Sequence, residues 1–199
     1  MTPASDFAFI GGPPPTESVE AIEARYLADE GYVANYARVW CWRPDVLDAF
    51  AEVRSELVAS SSLRPAEVAV LVVATARTLG DSYCSLAWGE RLAKLKGEDA
   101  TAGVFAGADA GLSAREAALA GWARKVVRDP NGTTEDDVEQ LREAGLDDRE
   151  IFEATAWVGM RLGFSAVNDA LGIRPDRELA ERVPAAVASA VGYGRSPAD

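Results

Sequence analysis

Apolar residues recur every three or four positions along most of this chain, the period of a helix with one buried face. Val19, Ile22 and Leu27 punctuate an acidic stretch at 16–30. An aromatic-rich stretch at 34–42 reads as a short helix, broken by Arg43-Pro44. Pro44 then suits the first turn of a helix at 44–59, where Val46, Leu47, Phe50, Val53, Leu57 and Val58 mark one apolar face. The stretch 65–79, PAEVAVLVVATARTL, is apolar nearly all round, so it is expected to be the central buried helix. VAVLVV alone also fits a strand, but the helical neighbours and flanking alanines favour helix.

Capping signals divide the rest. Gly80 fits the residue just past one helix, and Asp81 fits the N-cap of the next, at 82–96. A weak segment comes next at 101–108. Ser113 with Glu116 forms a capping box that opens a helix to Arg128, and DPNG at 129–132 is a turn. Thr134 opens a short helix that stops at Gly145. Asp147 with Glu150 opens a long one to Leu171, stopped by Gly172. Residues 1–15 contain GGPPP and read as an extended arm. The segment 179–199, interrupted at Pro184, reads as a C-terminal tail around a single domain at 16–178. No run alternates with period two. The expected fold class is all-α, a bundle of antiparallel helices with short connections.

The 199 residues carry a formal charge of −12. That balance disfavours nucleic acid and anionic membrane as partners. No signal peptide and no membrane-length apolar run is recognisable. Cys41 and Cys84 are too few for a disulfide framework, and a reducing cytoplasm is expected. The chain has no histidine. Imidazole-dependent catalysis is therefore excluded, any metal would need carboxylate ligands, and neither metal nor cofactor is expected. Acid–base work falls to Asp, Glu, Lys, Tyr or Cys.

The stretch LRPAEVAVLVVATARTLGDSYCSLAWG at 63–89 resembles the core of the carboxymuconolactone decarboxylase and alkylhydroperoxidase D-like superfamily. There an apolar helix leads into C-x-x-C-x-x-x-H. The stretch from LSAREAALAGWARKVVRDPNG to NDALGIRPD, 112–176, resembles the second half of its peroxidase-related branch, and GYVANYARVWCWRPDVLDAF its N-terminal extension. The resemblance spans roughly residues 18–178 and implies an all-helical homo-oligomer, a dimer, trimer or hexamer. The motif itself is altered. Asp81 stands at the first cysteine position, Cys84 at the second, and Trp88 at the histidine. The relay glutamate falls on Ala69, with Glu67 the nearest acid, two residues and roughly 200° away around the helix.

Cys84 near a helix N-terminus is the candidate nucleophile, with Asp81 and Glu67 as candidate proton-handling groups. Tyr83, Ser85, Trp88 and Arg161 are the candidate pocket residues. Each also has a purely structural reading: Cys84 as a small core residue, Asp81 as a plain cap, Arg161 as an internally paired cation. Two functions fit these residues. One is thiol-dependent reduction of a small hydroperoxide through Cys84. The alternative is a non-catalytic small-molecule-binding or assembly protein, with lactone decarboxylation a distant third.

Overall fold

The computed structural model describes residues 6–198, and among them eleven α-helices and one 3-10 turn account for all the regular elements. In chain order they are α1 (Glu17–Glu30), α2 (Asn35–Trp40), α3 (Pro44–Ala59), α4 (Pro65–Leu79), α5 (Ser82–Lys96) and α6 (Glu98–Ala106), then α7 (Ala114–Arg128), α8 (Glu135–Glu143), α9 (Asp148–Ala170), α10 (Arg177–Arg182) and α11 (Ala185–Ala190). The all-helical expectation holds, including the choice of helix over strand for VAVLVV.

α4 is the axis of the bundle. Val68 through Ala76 are all buried, and the helix is packed by α5, α7 and α9. Each fully buried Val or Leu here contributes about 1.5–3 kcal/mol relative to an exposed one. The capping boxes read from the sequence form at Ser113–Glu116 and Asp147–Glu150. Gly80, at φ 79°, turns the chain left-handed out of α4, a conformation other residues adopt only with strain. Asp81 then caps α5 by accepting a hydrogen bond from the Cys84 amide at 2.9 Å. α6 begins three residues earlier than the periodicity suggests. Gly97 lets the chain turn at φ 90°, and Glu98 and Asp99 favour the positive end of the new helix.

The C-terminal segment is not a tail. Leu179, Val183 and Val187 are buried, and α11 packs against α5 and α6. Gly89 makes this possible, because a Cβ there would meet Val187 Cγ1 at 2.7 Å. The segment is also stitched to the start of α5. Ser82 Oγ donates to the Arg195 carbonyl at 2.8 Å, and Tyr193 Oη donates to Ser85 Oγ at 2.9 Å. The described part of the N-terminal arm turns at 6–7 and bends at 9–10. It lies against the end of α9, with the Phe9 amide donating to the Leu171 carbonyl at 2.9 Å and the Arg174 amide to the Phe7 carbonyl at 2.8 Å. Residues 1–5 of that arm lie outside the described residues. No described helix is long and apolar enough to cross a membrane.

Candidate functional site

The tight α4–α5 turn places Cys84 in the first turn of α5, facing α9. Arg161, Ser165 and Asn168 lie on one face of α9 at i, i+4 and i+7, so their side chains converge on the same region. Ser165 Oγ donates to Asp81 Oδ2 at 2.5 Å and lies 3.8 Å from Cys84 Sγ. Arg161 Nη1 lies 3.7 Å from the same sulfur. Asn168 accepts from Trp40 Nε1 at 2.8 Å and so ties α9 to α2.

A cavity of about 130 Å³ opens beside this cluster, with Cys84, Arg161, Trp88 and Tyr83 in its wall. Tyr26, Tyr36, Phe50 and Phe164 also line it, with Arg54 at its edge toward α3. Phe164 stacks on Trp40 with centroids 5.3 Å apart and meets Tyr36 edge-on, so the apolar wall is braced. The Arg161 guanidinium lies over the Trp88 ring at 5.6 Å and the Phe164 ring at 5.0 Å.

Electrostatics act against the thiolate. Burial pushes the Cys84 thiol far above its ordinary range, and the Asp81 carboxylate pushes it further, against a smaller opposing pull from Arg161. Cys84 is 3% exposed. Both cysteines are free and buried, and burial also raises the Cys41 thiol.

The structure brings together Cys84, Asp81, Tyr83, Trp88 and Arg161. It separates two others. Ser85 faces the C-terminal segment and bonds Tyr193. Glu67 sits at the opposite end of α4 from Cys84, nine residues or about 13 Å of helix before Ala76, which packs in the cluster that holds Cys84. There Glu67 accepts from the Arg64 amide at 2.8 Å and from Arg115 Nε at 2.7 Å, while Arg115 also pairs with Glu150. Glu67 thus locks α4, α7 and α9 together, and a proton-handling role at Cys84 does not fit its place. Tyr83, in turn, donates to Asp176, and burial raises that carboxyl.

Glu67→Gln should cost about 1.5–3 kcal/mol in chemical denaturation, because it takes the charge from a buried acceptor of hydrogen bonds from Arg64 and Arg115. Burial pushes Glu67 up, but its bonds to Arg64 and Arg115 outweigh this and set it below the ordinary glutamate value. Its contribution is therefore present above the unfolded value and is lost as pH falls through the folded one. Cys84 alkylation in the variant should match the parent under native conditions, and a changed rate would return Glu67 to the site.

Sequence reasoning missed Ser165, Phe164, Tyr36 and Phe50. Ser165 was legible as the i+4 neighbour of Arg161. The aromatics come from α2, α3 and α9, and only packing collects them.

No family model and no curated protein sequence matches the chain. Solved structures do. An uncharacterized peroxidase-related protein from Silicibacter sp. TM1040 is similar at TM-score 0.76 and 23% identity, over 90% of this chain and 96% of that one. A peroxidase-related protein with an alkylhydroperoxidase AhpD core, from Ralstonia eutropha JMP134, is similar at 0.72 and 25%, with the same coverage. A debrominase in complex with 2,3,4-tribromopyrrole is similar at 0.69 and 13%, over 83% and 89%. The chain has the alkylhydroperoxidase D-like fold, as the resemblance in 63–89 implied.

Proposed function

We propose that this chain is a small-molecule-binding protein of the alkylhydroperoxidase D-like fold, with Cys84 held as a neutral thiol in the wall of its pocket. The observation that carries this is the setting of Cys84. It borders an aromatic-walled cavity, yet Asp81 occupies the position of the partner thiol and Trp88 that of the imidazole. The pocket keeps room for a ligand, while the groups that would activate and regenerate the sulfur are gone. A debrominase of the same fold holds a small planar ring, tribromopyrrole, which agrees in size class with this cavity.

A second reading rests on the Arg161 Nη1 contact with Cys84 Sγ at 3.7 Å, since a cation beside sulfur stabilises a thiolate. In that reading the thiolate attacks the outer oxygen of a hydroperoxide. The O–O bond breaks, the alcohol leaves with the thiol proton, and Cys84 becomes a sulfenic acid. One external thiol condenses with it and releases water. A second external thiol then displaces Cys84 and leaves as the external disulfide.

Intact-mass measurement after one equivalent of cumene hydroperoxide at pH 7.5 separates the two. The binding reading expects Cys84 to stay unmodified over an hour. A gain of one oxygen that disappears in Cys84→Ser would replace it with the peroxide reading.

A further inference from the structure

We propose that the ligand of this cavity is a small organic anion, a single apolar ring bearing a carboxylate, seated with the carboxylate on Arg161. The proposal rests on the small-molecule reading above and names the ligand class.

Arg161 is 6% exposed and reaches the cavity wall from α9. A buried guanidinium is costly unless an anion pairs with it. Among the described residues Arg161 makes no ion pair, and its Nε has no hydrogen-bond partner. Its Nη1 meets only the Cys84 sulfur, a weak acceptor whose proton is held on by burial and by Asp81. A neutral ligand would leave the guanidinium without an ion-pair partner, whereas a carboxylate supplies charge-assisted bonds.

The size fits one ring. Cavities of about 150 Å³ lined by apolar side chains take up benzene, and this one measures about 130 Å³. Its walls offer Tyr36, Phe50, Trp88 and Phe164 as faces and edges for a planar ring.

The entrance has a matching charge. A wider depression of about 480 Å³ adjoins the cavity and shares Tyr36, Tyr83 and Trp88 with it. Its acids are already engaged. Glu30 pairs with Arg182, Glu90 pairs with Lys94, and Asp176 accepts from Tyr83 and the Asn35 amide. Arg54, which lines both the depression and the cavity, and Arg91 have no carboxylate partner among the described residues, and Arg91 stacks over Trp88 at 5.1 Å. On a chain of formal charge −12, two uncommitted cations at the mouth of a pocket that ends in a third favour entry of an anion.

The test is calorimetric titration of the full chain with benzoate and with its neutral counterpart benzamide at low ionic strength. Benzoate should bind at least about tenfold more tightly than benzamide. In Arg161→Gln the two should fall within about twofold of each other, while Arg161→Lys, which keeps the charge, should retain a preference for benzoate. Arg54→Gln with Arg91→Gln should slow benzoate association and flatten its salt dependence. Equal affinities for the two probes in the parent protein would overturn the anion proposal and leave the pocket reading standing. Failure of both probes to bind would overturn the pocket reading as well.

Discussion

Replacing Asp81 by asparagine speeds the alkylation of Cys84 by iodoacetamide about three- to tenfold at pH 8. Asp81 is fully buried, and its charge opposes ionisation of a thiol that burial has already pushed up. Only thiolate reacts, so the rate follows the thiolate share. Removing a like charge at this range raises that share about ten- to a hundredfold. The newly favoured thiolate is also the weaker nucleophile, which gives back part of the gain. Asparagine retains an oxygen able to accept from the Cys84 amide, so the start of α5 survives the change. The sign matters for function. In this site Asp81 opposes ionisation of the sulfur. A rate unchanged or slowed in the variant would show that access to the cavity, not ionisation, limits the thiol.

Arg161→Met should act in the opposite direction on the thiol and should stabilise the ligand-free fold. The guanidinium pulls the Cys84 thiol down by charge, so its loss slows alkylation about threefold or more. For stability, two effects compete. Burying an unpaired charge costs several kcal/mol. The ring faces of Trp88 and Phe164 return about 1–2 kcal/mol each when desolvated. Methionine fills much of the same volume and keeps contact with both rings. The balance is a gain of about 1 kcal/mol, or about 2–4 °C in thermal unfolding for a chain of this length. A lower melting temperature would mean that the aromatic faces hold the arginine on their own account, without reserve for a ligand. Together the two substitutions measure the tug between Asp81 and Arg161 across one sulfur.

The sequence by itself determined the helices and most of their limits. Ser113–Glu116 and Asp147–Glu150 are local capping signals, and local signals survive folding because the groups they satisfy are three residues away. The apolar character of 65–79 likewise marked α4 as central. The resemblance at 81–88 set Asp81 at the partner-thiol position and Trp88 at the imidazole position through residue identities alone.

Tertiary structure decided what the surviving residues do. Glu67 and Asp81 are both acids in the first turn or at the cap of an apolar helix, and local capping does not say which of them lies beside Cys84. Arg115, forty-eight residues away from Glu67, and Ser165, eighty-four residues away from Asp81, do. The C-terminal segment looked like a tail because Pro184 interrupts it, although Leu179, Val183 and Val187 kept a four-residue spacing. Gly89 and Phe105 formed the surface that buries Val187, and that complementarity exists only between α5, α6 and α11. The cavity is the clearest case. Its ring faces arrive from α1, α2, α3, α5 and α9, so its volume and its unpaired arginine are properties of packing and appear in no single stretch of the chain.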